Sequence, residues 1–407
     1  MIEGMGNETS RLALATRAVH AGRDDLVGLG VHAVPLDLST TYPARDSARE
    51  AARLDVFATG AEAPGPPIYG RIGNPTVQRF EAALAELEEC DAAVAFATGM
   101  AALSACLLAT AADGRPHVVA VRPLYGTSDH LLTSGLLGTH VTWVTRPEDA
   151  AGAVRGDTGL VIAETPANPT LTEIDLAALT ASCGQVPLLV DNTFATPVLQ
   201  QPARHGARLV LHSATKFLGG HGDVMGGIIA CDEATARKLR TIRHATGAIL
   251  HPLAGYLLLR GLATLPLRVR AASASAATLA ARLAAHPRVT AVHYPARCPG
   301  RPAGQMDGGG ALLAFEVTGD ARAVTSAVRL ITPAVSLGTV DTLIEHPASL
   351  THRTVDPASR AASGISDSLL RLAVGLEDAD DLWDDLDQAL SASAGSEPGN
   401  LAKTMAA

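Results

Sequence analysis

In the middle of the chain, from about Asn74 to Cys231, short apolar runs alternate with longer segments of helical character. The apolar runs are typical of buried strands, and segments such as 76–89 and 174–182 are predicted to form helices between them. This alternation favours a mainly parallel sheet covered on both faces, in which ligands bind beyond the carboxyl ends of the strands. The predicted strands are 93–97, 117–121, 141–144, 160–163, 188–190, 209–211 and 227–230.

An alanine-rich helical run over 267–285, which ends before Pro287, is predicted to connect this region to a smaller domain. The fold class that we predict is therefore α/β, with a mostly parallel sheet in a large domain and a smaller α/β C-terminal domain. In the smaller domain the pattern predicts strands over 289–294, 311–317 and 369–374 and helices over 321–331 and 379–390.

The two ends of the chain differ in composition from the rest. The first segment is predicted to be an irregular arm, with a helix over 47–54 and a Pro- and Gly-rich loop over 61–67. Because the arm has too few apolar residues to fold alone, we expect it to pack on another subunit. Small and polar residues from Ser391 onward predict disorder. The predicted organisation is an arm over 1–65, a large domain over 66–266, a C-terminal domain over 267–390 and a disordered tail over 391–407.

Composition narrows the possible partners. The 407 residues exceed what one compact core usually holds, and the net charge of -9 argues against a nucleic-acid or anionic membrane surface. None of the five cysteines lies in a CxxC pair, and the N-terminus has no apolar signal segment, so we expect a cytoplasmic protein. The uncharged stretch 92–112 is interpreted as a strand, a tight turn and a buried helix rather than a membrane span. His212 and His221, like His346 and His352, lack a nearby cluster of Cys or carboxylates, so no metal site is predicted.

The segment from Leu209 to Gly227 is the most informative for chemistry. A buried strand leads into His-Ser-Ala-Thr-Lys and then into glycines, which places Lys216 at a strand end. Desolvation lowers the pKa of a lysine and suits it to Schiff-base chemistry, and the hydroxyls of Ser213 and Thr215 could bind a phosphate. A surface lysine in a glycine-rich loop explains this segment equally well when it is taken alone.

Asp191 ends the preceding predicted strand, in the run Val-Asp-Asn-Thr-Phe-Ala-Thr-Pro. A carboxylate there can pair with a protonated pyridine nitrogen, although an aspartate that caps a helix or turn is a common alternative. Gly99 and Met100 lie between a strand and a helix, whose N-terminus offers N–H groups to a phosphate. Tyr125 follows the next strand, where an aromatic ring could stack on a ligand. The occurrence of Asp191 and Lys216 on successive strands favours a pyridoxal-phosphate site.

From about Thr16 to Leu390 the chain resembles the cystathionine γ-synthase, cystathionine γ-lyase and methionine γ-lyase family, whose members are pyridoxal-phosphate enzymes of fold type I. Several separate motifs in one order make the resemblance specific. They are YGRIGNPT (69–76), ATGMAAL (97–103), LYGTS (124–128), ETPANPT (164–170), VDNTFATP (190–197), HSATKFLGGH (212–221), AVSLG (334–338), EHPASLTH (345–352) and LLRLAVGLED (369–378).

The resemblance implies a role for each residue at a matching position. Lys216 would bind the cofactor covalently and move protons, Asp191 would bind the pyridine nitrogen, and Tyr125 would stack on the ring and act in acid–base steps. Arg371 would hold the substrate carboxylate, a task that suits its forked geometry. Ser336 and Asn168 would lie near the substrate and the phenolic oxygen, although a turn serine and an Asn-Pro turn remain alternatives. The implied phosphate ligands are Gly99, Met100, Ser213 and Thr215, with Tyr69 and Arg71 supplied by the neighbouring subunit of a homotetramer built from catalytic dimers.

Four residues depart from the family pattern. Thr127 stands where methionine γ-lyases carry a cysteine, and is taken as a substrate-binding candidate. Arg243 and His244 replace a Lys-Asp pair and could supply polarity to the substrate pocket. Val335 replaces the glutamate typical of enzymes that use cystathionine.

We predict γ-elimination on a γ-substituted L-amino acid such as methionine or cystathionine. The alternative is γ-replacement on an O-acylated homoserine by a synthase or sulfhydrylase. A nucleotide-binding oxidoreductase is a rival from another class, but the glycine-rich loop at 219–227 follows a late strand and the lysine, where a GxGxxG fingerprint would follow the first strand.

Overall fold

The computed structural model describes residues 12–62, 65–297 and 302–393. It contains a seven-stranded and a five-stranded sheet, each packed against helices, and this confirms the predicted α/β class. The strands of the large sheet are β1 (Ala92–Phe96), β2 (His117–Val121), β3 (His140–Val144), β4 (Thr158–Glu164), β5 (Leu188–Asp191), β6 (Leu209–Ser213) and β7 (Gly227–Cys231). Each coincides with a predicted strand to within about two residues at either end.

The large sheet has the order β1-β7-β6-β5-β4-β2-β3. Only β7 runs against its neighbours, so the sheet is mostly parallel, as predicted. Its two faces are covered by separate apolar clusters, which explains why β1 and β2 are buried along their whole length. The parallel strands β4, β5 and β6 end side by side, and the candidate site lies beyond those ends.

Two of the helices next to β1 begin at local capping signals. The side chain of Asn74 accepts N–H bonds from Thr76 and Val77, and Pro75 occupies the first helical position. The hydroxyl of Thr98 caps the helix that follows β1 in the same way, through the N–H of Ala101. In chain order the helices are α1 (Leu14–His20), α2 (Leu26–Leu29), α3 (Ser47–Ala58), α4 (Pro75–Glu88), α5 (Gly99–Ala112), α6 (Gly126–Ser134), α7 (Ala150–Ala153), α8 (Leu176–Cys183), α9 (Thr196–Leu199), α10 (Glu233–Thr246), α11 (Pro252–Leu262) and α12 (Leu265–Ala285).

The small sheet has the order β10-β11-β12-β9-β8 and is antiparallel except between β10 and β11. The predicted helix over 321–331 is wrong in length, because the observed helix ends at Ala327. The carboxylate of Asp385 accepts the backbone N–H groups of residues 329, 330 and 331, which therefore do not continue the helix. The elements are β8 (Val289–His293), β9 (Leu312–Val317), α13 (Ala321–Ala327), β10 (Thr332–Pro333), β11 (Leu343–Glu345), α14 (Pro357–Ala362), β12 (Leu369–Ala373) and α15 (Ala379–Ala392).

The N-terminal segment is more regular than the sequence pattern indicates, since it contains the three helices α1 to α3. Ala18 and Ala21 are buried in the main core, so this part of the segment packs on its own chain. The helix predicted over 47–54 is longer and extends to Ala58. Residues 63–64 of the proline-rich loop, Cys298, and the predicted tail from residue 394 lie outside the described residues. The stretch 92–112 forms β1, a turn and α5, and none of the described helices is long and apolar enough to cross a membrane.

Candidate active site

Lys216 lies just after β6, beyond the carboxyl ends of the parallel strands. Its backbone N–H donates to the carbonyl of Ser213, and its side-chain Nζ donates to Oγ of Ser336 at 2.6 Å. Burial, followed by the positive charge of Arg371, lowers the pKa of Lys216 from 10.5 to about 8, while Glu345 acts in the opposite direction. At neutral pH this amine is therefore uncharged far more often than a surface lysine.

Asp191 ends β5, next to the strand that leads to Lys216. Its Oδ1 accepts the backbone N–H of Thr193 at 3.0 Å and the Thr193 hydroxyl at 2.6 Å. Burial raises the pKa of Asp191, although the bonds to Thr193 and the proximity of His212 oppose the shift. Asp191 has no ion-pair partner among the described residues, so it suits a cationic ring nitrogen.

Glu164 is a site residue that the sequence analysis missed. It is paired with Asp191 in the register of β4 and β5, and its Oε2 accepts the backbone N–H of Tyr125 at 2.7 Å. Burial, then the nearby Asp191, raise the pKa of Glu164 well above its usual range. Glu164 therefore positions Tyr125 at the start of α6. Its signal in the sequence is a carboxylate at the end of an apolar strand, the same pattern that singled out Asp191.

A candidate phosphate cradle is formed where α5 begins. As first residues of a 14-residue helix, Gly99 and Met100 present N–H groups that have no partner within the helix. A Cβ at Gly99 would lie 3.1 Å from Cα and Cβ of Ser213, so glycine permits this close approach. The hydroxyl of Thr215 is engaged with Gly226, donating to its carbonyl at 3.2 Å and accepting its N–H at 3.0 Å.

The small sheet contributes Arg371 from β12. Its Nη1 donates to Oδ1 of Asn168 at 2.8 Å and its Nη2 to the carbonyl of Ser336 at 2.9 Å. Nη2 also lies 2.7 Å from Oε1 of Glu345, while the buried Nε has no hydrogen bond. Ser336 has a φ of 98°, a strained conformation for a non-glycine residue. In this conformation it contacts Lys216 through its hydroxyl and Arg371 through its carbonyl.

Tyr69 and Arg71 lie apart from this cluster within the described chain. Nη1 of Arg71 donates to the carbonyl of His244 at 2.6 Å, and its guanidinium lies 5.6 Å from the centre of the Tyr69 ring. Arg71 thus contacts both Tyr69 and His244, and among the described contacts neither Tyr69 nor Arg71 bonds to Lys216 or Ser213.

Arg243, which with His244 could supply polarity to the substrate pocket, has its polar contacts within the described chain. Nη1 of Arg243 is buried 2.5 Å from Glu81 and 2.9 Å from the carbonyl of Ala95. Burial, then the charge of Arg243, lower the pKa of His244 to about 4, so that its ring is neutral at neutral pH. Thr127 is exposed on α6, and Val335 is exposed beside Ser336.

The residues present fit pyridoxal phosphate. A buried carboxylate without a cationic partner, an amine with a lowered pKa, a helix N-terminus and the Ser213 hydroxyl match its ring nitrogen, aldehyde and phosphate. Among the described residues, no group of three or more His, Cys, Asp or Glu side chains could hold a metal ion.

Comparison with known proteins agrees with this chemistry. The family model for Cys/Met metabolism PLP-dependent enzymes matches residues 15–391. The chain belongs to this family. The predicted family, and with it the class of pyridoxal-phosphate-dependent γ-lyases of the trans-sulfuration type, is thereby confirmed.

The chain is 66% identical to an L-methionine γ-lyase of Streptomyces avermitilis, in an alignment that covers 98% of this chain and 96% of the relative. Among solved structures it is similar to a cystathionine γ-lyase from Micromonospora echinospora, with a TM-score of 0.82, 37% identity and coverage of 93% and 99% of the two chains. A cystathionine γ-synthase from Xanthomonas oryzae pv. oryzae has a TM-score of 0.84 and 36% identity, with coverage of 94% and 98%.

Proposed function

We propose that the protein catalyses γ-elimination of L-methionine, releasing a 2-oxo acid, ammonia and a thiol, with pyridoxal phosphate bound covalently to Lys216. The observation that carries the proposal is the meeting of Lys216 and Arg371 at Ser336. This places a proton-accepting amine beside a group that binds carboxylates, as an enzyme acting at the α-carbon of an amino acid requires. The similarity to the Streptomyces L-methionine γ-lyase supports methionine as the substrate.

Bound at this site, the cofactor supplies an electron sink for negative charge at the α- and β-carbons of the substrate. In the proposal Asp191 holds the ring nitrogen, and Tyr125 stacks on the ring and takes part in acid–base steps. Asn168 would lie near the phenolic oxygen of the cofactor. The phosphate would be held by the N–H groups of Gly99 and Met100 and the hydroxyl of Ser213, and by the hydroxyl of Thr215 once it turns away from the carbonyl of Gly226.

Lys216 is the residue that moves protons. Because the pKa of its amine is lowered to about 8, a substantial fraction is uncharged near neutral pH and can accept the α-proton and return a proton to a neighbouring carbon. Ser336 orients the amine through its hydroxyl, and Arg371 binds the substrate carboxylate. Together these contacts decide which bond at the α-carbon faces the lysine.

Elimination is favoured over replacement because the candidate positions near Tyr125 and Ser336 in the described chain carry no charge that could hold a second amino acid. Thr127 and Val335 are neutral, and among the described contacts Arg243 is occupied by Glu81. A buried site selects a polar ligand through the bonds that it makes, so cysteine would find little to bind here as an acceptor. Neutral side chains at these positions suit the apolar methylsulfanyl group of methionine.

The proposal includes an assembly and a location. Tyr69 and Arg71 would complete the phosphate site of a neighbouring subunit in a homotetramer of catalytic dimers. The exposed apolar residues of the N-terminal segment, such as Val27 and Leu38, support such a contact. Cysteines without CxxC pairing support a cytoplasmic location.

The test is product identification with purified holoenzyme. Methionine, cystathionine and O-acetylhomoserine are each supplied with and without cysteine, and 2-oxo acid, ammonia and sulfur products are quantified. Methionine is expected to give 2-oxobutanoate, ammonia and methanethiol in equal amounts, whether or not cysteine is added. Efficient thioether formation with negligible 2-oxo acid would instead establish γ-replacement.

A further inference from the structure

Arg371 is held by a carboxylate that the proposed reaction does not require. Glu345 and Arg371 are directly opposite in the register of the antiparallel strands β11 and β12. Their side chains are 1% and 2% exposed, and Oε1 of Glu345 lies 2.7 Å from Nη2 of Arg371. The same Oε1 accepts the hydroxyl of Thr351 at 2.9 Å. Glu345 thus has a defined position against the group that would bind the substrate carboxylate.

The other ionisable groups near Arg371 contribute little negative charge. Burial and the neighbouring Asp191 raise the pKa of Glu164 well above its usual range, which favours its neutral form. Burial and Arg371 lower the pKa of His352 to about 4, so its ring is neutral as well. Glu345 is the one acidic residue that forms an ion pair with Arg371 in the described part of the chain.

Arg371 retains hydrogen-bonding capacity for a ligand in spite of this pair. Its contacts with Asn168, Ser336 and Glu345 engage three of the five N–H donors of a guanidinium, and Nε is buried without a hydrogen bond. A ligand carboxylate that binds the remaining donors of Arg371 lies close to Glu345 as well. Repulsion between the two carboxylates weakens that binding, and the low dielectric of a buried site strengthens the effect.

We propose that Glu345 is a positioning residue that limits the hold of Arg371 on carboxylates, so that the 2-oxo acid product is released. The inference rests on the proposed γ-elimination, because that reaction generates a product with a carboxylate but no amine. The substrate is also attached to the cofactor through its amine, so it tolerates a weaker contact between its carboxylate and Arg371. The product lacks this attachment, so weakening the contact shortens its stay in the site.

The test measures ligand binding to the holoenzyme and does not depend on turnover. Two probes are compared by calorimetry: 3-(methylsulfanyl)propanoate, which has the carboxylate but no amine, and its neutral amide. Glu345→Gln keeps the size and the hydrogen bonds of the side chain but removes its charge. It is expected to bind the carboxylate about tenfold more tightly and the amide equally well. Inhibition by 2-oxobutanoate should strengthen by a similar factor, and the KM for methionine should fall while kcat does not rise.

Two further variants serve as controls. Glu316→Gln removes a carboxylate from β9 of the same sheet, where Glu316 bonds to Ser368 and His293, and it should leave both probes unchanged. Glu345→Asp retains the charge and should restore weak binding of the carboxylate. Equal affinity of wild type and folded Glu345→Gln for the carboxylate would overturn the proposal, as would a parallel change for the amide.

Thr351→Val covers the case in which Glu345→Gln does not fold. Without the Thr351 hydroxyl, Oε1 of Glu345 loses a hydrogen bond and repels a ligand carboxylate more strongly. Binding of 3-(methylsulfanyl)propanoate should then weaken a few-fold, whereas Glu345→Gln should tighten it. An unchanged affinity in Thr351→Val would reject the proposal. If wild-type enzyme releases no 2-oxo acid from methionine, the proposed function fails, whatever the binding measurements show.

Discussion

On the seven-stranded sheet, Asp191 and Lys216 are ionisable groups without an ion-pair partner among the described residues, whereas on the five-stranded sheet Arg371 lies 2.7 Å from Glu345. Burial displaces the pKa of Asp191 upward and that of Lys216 downward. A buried ionisable group without a partner is stabilised most by a ligand that supplies the opposite charge or exchanges a proton with it. The paired guanidinium keeps its charge and serves for binding. The comparison separates a half of the site that is suited to chemistry from a half that is suited to holding substrate.

The largest expected effect on activity comes from removing the amine of Lys216, in the half of the site that is suited to chemistry. Lys216→Ala should lower turnover by more than about a thousandfold, since it removes the amine that is proposed to bind the cofactor and to exchange the α-proton. Borohydride treatment of wild type should fix the cofactor on the peptide that contains Lys216. Lys238→Ala, which removes a surface lysine paired with Asp113, is the matched control and should retain activity. Full turnover and cofactor absorbance in Lys216→Ala would refute the assignment.

Neutralising the carboxylate of the same half should have the next largest effect. Asp191→Asn keeps the shape and the contacts to Thr193 but cannot pair with a protonated ring nitrogen. Loss of a partner from a buried charge pair corresponds to roughly a 30-fold to several thousandfold fall in kcat/KM. Asp175→Asn, an exposed helix cap that asparagine can replace, should be nearly neutral. Equal losses in the two variants would remove the distinction between a partner of the cofactor and a structural carboxylate.

Arg71 belongs to neither half and tests whether the site extends across subunits. Arg71→Ala and Lys216→Ala should each be inactive when alone, because each lacks one contribution to every site. Mixed under exchanging conditions, they should recover about a quarter of wild-type activity, since half of randomly formed dimers contain one intact site. No recovery, with subunit exchange demonstrated by mass spectrometry, would place Arg71 outside a shared site.

A smaller expected effect is a shift in the pKa of Lys216, which depends on the charges of Glu345 and Arg371 in the other half of the site. In the apoenzyme, reaction of this amine with an acylating reagent should increase with pH around a midpoint of about 8, since the uncharged amine is the reactive form. Glu345 raises and Arg371 lowers the pKa of Lys216, so Glu345→Gln should move the midpoint downward and Arg371→Gln should move it upward. Peptide-resolved labelling at several pH values measures both shifts. Midpoints that stay fixed in both variants would show that burial alone sets the pKa of Lys216.

Much of the chemical half could be predicted from the sequence. Lys216, Asp191 and Gly99 each follow an apolar strand, and parallel neighbours bring such positions to one edge of a sheet. Glu164 follows the same rule, but the role that the resemblance gave to its motif was carried by Asn168 alone. The half of the site that is suited to holding substrate was predicted only through resemblance to the family. That resemblance singled out Arg371 and Ser336 but not Glu345.

The sequence by itself determined the alternation of strands and helices, the family, and the residues at the strand ends, because these depend on local periodicity and on short motifs. Only the tertiary structure decided the partners of the charged residues. Arg243 pairs with Glu81, and Arg371 with Glu345, through contacts between distant parts of the chain. In sequence each of these arginines could pair with many carboxylates. Strand register and helix packing select one, because a buried arginine cannot lose its charge and is costly unless a partner lies within contact distance.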